Sequence, residues 1–128
     1  MANTYRDLLV WRKSKKLAVD VYRATERFPK SELFGLTSQV RRAAVSIASN
    51  IAEGQGRGSK PEFVKFLCVS RGSLLELETQ LEIIAELKLG EADEIQSLRQ
   101  ECYETLGLLN RLLAVMERKV KATPTLKP

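Results

Sequence analysis

No histidine occurs anywhere in this chain, which removes the side chain most used as a general base near neutral pH and as a ligand for zinc or iron. Di-iron centres in helical bundles pair glutamates with a Glu-x-x-His motif. Glu76, Glu78, Glu82 and Glu86 therefore read as a solvated acidic face. No serine or cysteine has an evident base beside it in sequence. Carboxylates or lysine are the remaining enzymatic route, and the residues favour a non-enzymatic protein with no cofactor and no metal. Cysteine is scarce too: Cys68 and Cys102 lack CxxC spacing, lie among apolar residues, and read as reduced core thiols.

Aromatic residues make up only 6% of the chain and glycines number seven, against 44% hydrophobic and 29% charged residues. That balance suits a Leu- and Ala-rich helical protein better than a sheet. No apolar run reaches the length of a membrane span, and Met1-Ala2-Asn3-Thr4-Tyr5-Arg6-Asp7 is unlike a secretion signal. A cytoplasmic protein with no membrane partner is the expectation. At 128 residues the chain has the size of a single domain, 1–128, with its core over about 6–121 and a frayed tail over 122–128.

What is present is four stripes of apolar residues at helical spacing. Val10, Trp11, Leu17, Ala18, Val21, Tyr22 and Phe28 share one side of a helix predicted over about residues 6–28, which Pro29 ends. Trp11 and Tyr22, being on the stripe, read as core. Lys30-Ser31-Glu32 connects to a second helix, about Leu33–Glu53, whose stripe is Leu36, Val40, Ala43, Ala44, Ile47 and Ile51. Ala43 to Ala52 carries no charge, and the back of this helix shows Ser38, Val45, Ser49 and Ala52. A helix lacking a charged face is usually covered on more than one side, so these four are candidates for a contact between subunits. Gly54 suits a left-handed cap.

Ser59-Lys60-Pro61-Glu62 is a capping box with proline in the first turn. From it a seam of Phe63, Leu67, Ser70, Leu74, Leu77, Leu81 and Ile84 alternates fours and threes up to Gly90. The fourth seam runs Ile95, Leu98, Cys102, Leu106, Leu109, Leu113, Met116 and Val120. Four amphipathic helices with short joints bury their stripes best as an all-α, antiparallel up-down-up-down four-helix bundle.

Charge is unevenly spread. Residues 1–60 hold 12 Lys and Arg against 5 Asp and Glu, a net of +7, while residues 61–128 are net −2. Arg12, Lys13, Lys15, Lys16, Arg23 and Arg27 lie on the first helix, and Arg57 and Lys60 flank the glycine-rich joint. These eight are the candidate nucleic-acid contacts, through sequence-independent phosphate binding; ordinary solvation of a surface helix is the rival reading. The joint Gly54-x-Gly56-x-Gly58-Ser59-Lys60 is no Walker loop, since serine precedes lysine and a helix precedes the loop. It reads as an interhelical turn.

Several segments together resemble a known family: Leu36-Thr37-Ser38-Gln39-Val40-Arg41-Arg42-Ala43-Ala44-Val45-Ser46-Ile47, Ser49-Asn50-Ile51-Ala52-Glu53-Gly54, Gly56-Arg57, Glu62-Phe63, Phe66-Leu67, and Gly72-Ser73-x-x-Glu76-Leu77-Glu78-Thr79-Gln80. The chain is similar to the four-helix-bundle proteins first noted in intervening sequences of bacterial 23S ribosomal RNA genes, a family that includes relatives of the accessory variability protein of diversity-generating retroelements. The resemblance implies a bacterial origin, a bundle fold, and a homo-oligomeric ring, commonly a pentamer. For the retroelement branch it implies binding of nucleic acid and of a reverse transcriptase. Ala48 stands where proline is frequent in that family, which implies a straighter second helix. The leading expectation is an oligomeric protein that binds RNA, DNA or a ribonucleoprotein through its basic surface. The alternative is a ring-shaped scaffold that binds another protein or a small molecule.

Overall fold

The computed structural model describes residues 4–122, and within them the four stripes become four helices: α1 (Leu9–Thr25), α2 (Ser38–Gly56), α3 (Lys60–Leu87) and α4 (Ala92–Ala122). No strand occurs among the described residues. The tail expected to fray lies outside them, apart from Ala122. α1 packs on α2 and α4, and α3 on the same two, which closes a square with one core. Cross-helix contacts give the direction. Gln39 meets Gln80 while Ser46 meets Ser73; Lys13 meets Glu104 while Arg27 meets Glu94. As the number rises on one helix it falls on its neighbour, so the pairs run antiparallel.

The seam of α3 is buried at each expected position from Phe63 to Ile84, and that of α4 from Ile95 to Leu113, with Leu106 and Met116 partly covered against the core. Each fully buried Leu or Ile, such as Leu17, Ile47, Leu67 and Leu74, contributes roughly 1.5–3 kcal/mol on removal from water. Most buried hydroxyls are satisfied within their own helices, Thr37 Oγ1 in the turn before α2 being buried without a partner. Ser14 Oγ donates to the Val10 carbonyl at 2.7 Å, and Thr105 Oγ1 to that of Glu101 at 2.7 Å. Ser70, the one polar residue in the α3 seam, donates instead across the interface to the Ile47 carbonyl of α2 at 2.9 Å.

Several boundaries differ from the sequence expectation. α1 starts late because Leu8 is extended after a short 3-10 turn over Tyr5–Asp7, and it ends at Thr25, before Phe28 turns back into the core. Between α1 and α2 the chain makes a 3-10 turn (Lys30–Glu32) and a wide turn (Leu33–Thr37) in which Gly35 leaves the helical region, so α2 begins at Ser38. Ser59 caps α3, its Oγ accepting the Glu62 N–H at 3.4 Å, without the return bond from Glu62 that the expected capping box requires.

Gly54 is not a cap. It lies inside α2, buried, where a Cβ would stand 2.4 Å from the Cβ of Phe66; the left-handed glycine of the joint is Gly58, at φ +75°. Glycine at 54 lets α2 and α3 approach more closely than any side chain allows. Alanine there gains helix propensity but forces the two backbones apart, for a net loss of about 1–3 kcal/mol. Gly72, with open space around it, is the matched control: alanine stabilises by about 0.5–1 kcal/mol. Urea unfolding of G54A and G72A is expected to move the midpoint in opposite directions, and equal shifts would contradict the close crossing.

Two core assignments also change. Tyr22 is 44% exposed, and Cys68 is exposed on the outer side of α3, whereas Cys102 is fully buried. Both sit at the edge of a stripe, where helical period alone does not decide between core and solvent. Burial, helped by the charges of Glu78 and Glu101, pushes the Cys102 thiol up to about 12. A thiol reagent should label one cysteine of the folded protein quickly and the second only on unfolding; two fast thiols would count against the α4 seam.

Candidate nucleic-acid interface

The eight cations expected to face nucleic acid divide into two groups. Four are engaged with carboxylates of the same chain. Lys13 Nζ lies 3.9 Å from Glu104, Lys16 Nζ 2.6 Å from Asp20 and 3.4 Å from Glu101, and Arg27 Nη1 3.0 Å from Glu94. Arg57 Nη2 is 2.8 Å from Glu53. The basic side of α1 that faces α4 is thus neutralised by the acidic residues of α4. Exposed pairs of this kind add little to stability, up to about 1 kcal/mol each, yet they cancel the local potential that would attract a polyanion.

The other four make no ion pair among the described residues. Arg12 donates to the Arg6 carbonyl at 3.0 Å, Lys15 lies 5.3 Å over the Trp11 ring, and Arg23 and Lys60 are exposed. Trp11 is half-buried and packs edge-on against Tyr5, with ring centres 5.0 Å apart. Arg12, Lys15 and Arg23 stand on the side of α1 turned away from the buried stripe.

Between α1 and α2 runs an apolar groove of about 410 Å³, lined by Ala18, Val19, Tyr22, Val45, Ala48 and Ser49, with Lys15 and Arg23 at its rim. Of the small residues expected at a subunit contact, Val45 and Ser49 are exposed and line this groove, while Ser38 and Ala52 are half-buried within the chain. Val19, Tyr22 and Val45 are each 40–44% exposed, so the middle of the uncharged side of α2 is left open by the described residues.

Sequence reasoning missed Arg41 and Arg42, which face a second cleft between α2 and α3. Arg41 Nε donates to Thr25 Oγ1 at 2.9 Å, and its guanidinium stacks on Tyr22 at 4.6 Å. That contact explains why Tyr22 stays at the surface: its ring serves the arginine rather than the core. An arginine beside a seam one residue away from a tyrosine-bearing helix face gives no local signal, since Tyr22 and Arg41 meet only after the α1–α2 turn.

The family of 23S rRNA-intervening sequence proteins, as described by its sequence profile, matches residues 6–111. The chain belongs to that family. Its fold is similar to the crystal structure of a protein of unknown function from the S23 ribosomal protein family of Bacteroides thetaiotaomicron VPI-5482. The two share 23% identity with a TM-score of 0.73, over 82% of this chain and 98% of that one, a likeness that speaks to fold alone. No curated protein matches. Neither the 23S rRNA-intervening sequence family match nor the site geometry points to catalysis. Among the described residues no three metal-ligating side chains come together, and no helix is long and apolar enough to cross a membrane.

One cluster in this family member titrates near neutrality. Burial, then the hydrogen bond and charge of Asp20, push Glu101 up to about 7 from its ordinary 4.5. Burial also works to raise Asp20, but hydrogen bonds from Lys16 and Glu101 outweigh it and hold Asp20 low. The Asp20 hydrogen bond and the Glu101 charge raise Lys16. Between about pH 4.5 and 7 the folded chain keeps a proton on Glu101 that the unfolded chain has released, so stability falls as pH rises through that window. E101Q, which keeps the hydrogen bond without the charge, should flatten the melting temperature across it; an unchanged slope in E101Q would show that Glu101 is not the titrating group.

Proposed function

We propose that this protein is a non-enzymatic, self-associating binding protein that engages nucleic acid, as RNA or a ribonucleoprotein, through the unpaired cations of α1. The observation that carries this reading is the separation of charge on and just after that helix: Lys13, Lys16 and Arg27 are paired with carboxylates of α4 and with Asp20, whereas Arg12, Lys15 and Arg23 are exposed and make no ion pair among the described residues, Arg23 feeling Asp20 only at longer range. They extend over about 16 Å at 1.5 Å per residue. Backbone phosphates are recognised by such a row without base contacts. A family named for 23S rRNA intervening sequences fits this partner class.

Self-association supports the same reading. The groove formed by Val19, Val45, Ala48 and Ser49 suits a second copy, and a homopentameric ring repeats the α1 row once per subunit. Weak phosphate contacts then add through avidity, by factors of about 10²–10⁴, without new chemistry. A scaffold for another protein, a reverse transcriptase among the candidates, is the second reading. It is favoured by Phe34, 94% exposed in the turn before α2 with Leu33 beside it at 46%, because large apolar residues displayed together mark protein contacts.

Salt separates the two. Binding of single-stranded RNA should weaken steeply as salt rises, and K15Q or R23Q should each lower the log–log slope by about one at most per binding subunit. S49R, which puts charge and bulk into the groove, should shift sedimentation toward the monomer and cost avidity while the helix content stays unchanged. Absence of any salt-sensitive binding to RNA or DNA at low ionic strength would leave the scaffold reading in its place.

A further inference from the structure

The cleft between α2 and α3 carries chemistry that the α1 row does not. Its volume, about 770 Å³, lies within the roughly 300–1,000 Å³ usual for small-molecule sites. One wall is cationic. Arg41 is held by Thr25 Oγ1 at 2.9 Å, by the Tyr22 carbonyl at 3.4 Å and by the Tyr22 ring, which orients its planar fork and leaves further N–H donors unused. Arg42 lines the same wall, is exposed, and makes no ion pair or hydrogen bond among the described residues.

Elsewhere on α2, and across on α3, the cleft is polar and largely uncharged. Ser46 and Ser73 share a hydrogen bond of 2.8 Å, and Asn50 Nδ2 donates to Ser46 Oγ at 2.9 Å. Asn50 stands behind Ser46, the apolar Ala43 and Val45 also line the cleft, and so do Gln39 and Glu76. Immediately behind them lies Gln80, only 5% exposed, whose Nε2 donates to Glu76 Oε2 at 3.3 Å and reaches Gln39 Oε1 at 3.5 Å. The Glu76 carboxylate requires a donor facing it, which sets the orientation of the Gln80 amide and leaves its Oε1 buried with no partner. An orphaned buried acceptor is costly, and the Gln80 amide fixes the Glu76 carboxylate at the cleft, where its second oxygen is left to accept from a ligand.

We infer that this cleft binds a nucleotide, with the phosphate between Arg41 and Arg42 and the base edge toward Gln39 and Glu76. Two guanidinium groups supply the charge-assisted hydrogen bonds that a phosphate takes. Glu76 repels phosphate and so gives the cleft a direction, while its carboxylate accepts from an exocyclic amino group such as that of cytosine. The nucleotide is either one unit of a single strand, in which case the inference rests on the nucleic-acid reading above, or a free mononucleotide.

Calorimetry with inorganic phosphate, cytidine and cytidine monophosphate, together with anisotropy of a short labelled oligocytidylate, tests this on the full chain. The monophosphate should bind more tightly than phosphate or cytidine alone. R42Q should weaken it about tenfold or more, as expected for loss of a charged hydrogen bond. E76Q should weaken the monophosphate and leave inorganic phosphate unaffected. K65Q, which removes an exposed lysine on α3 outside the cleft, should change little and controls for bulk charge. An equal loss of oligocytidylate binding in R42Q assigns the nucleotide to a strand, and an unchanged oligocytidylate affinity assigns it to the free form. Failure of the monophosphate to bind, or equal effects of R42Q and K65Q, overturns the site. Salt-sensitive RNA binding that survives in that case leaves the α1 reading standing.

Discussion

The surface chemistry of this protein follows from how closely α2 and α3 pack. Gly54 against Phe66 and Ser70 against the Ile47 carbonyl bring the two backbones together, so that Val40, Ala43, Ala44, Ile47 and Ile51 share one buried face with the α3 seam. Once that face is buried, the rotation of α2 is set. Val45 and Ser49 then point to solvent and Arg42 to the cleft, because they lie opposite or beside the buried stripe on a helix of 3.6 residues per turn. A looser crossing would leave these orientations undefined.

Charge is organised by the same square. α1 has two neighbours of different character: α4, which brings Glu94, Glu101 and Glu104 to it, and α2, which faces it with small apolar residues and Arg41. The basic composition of the first sixty residues is therefore not one basic surface. It is a neutralised side against α4, a row of free cations outside, and a pair of arginines over the α2–α3 cleft. Net charge describes long-range attraction for polyanions, but ion pairs between helices far apart in sequence decide where that attraction acts.

The seams of α3 and α4 were legible because their apolar residues recur at three and four over many turns, a pattern with one physical solution. The square arrangement followed from short joints, and the outward position of Val45 and Ser49 from their place opposite the buried stripe of α2. Residues at stripe edges were not legible. Tyr22 and Cys68 each adjoin apolar positions, and only the neighbours that arrive through folding, such as Arg41 for Tyr22, decide their exposure. The pairing of Lys16 with Glu101, and of Arg27 with Glu94, depends on the α1–α4 register, for which no local pattern exists. Gly54 looked like a helix stop because close approach of another helix leaves the same glycine in the sequence as a left-handed turn does.

Amide chemical-shift mapping with a single-stranded RNA tests most directly whether unpaired cations, rather than total charge, define the binding surface. The account predicts perturbations along Arg12, Lys15 and Arg23, with Lys13, Lys16 and Arg27 little affected. Perturbations centred on the outer faces of α3 and α4, around Lys65, Gly72 or Tyr103, would contradict it.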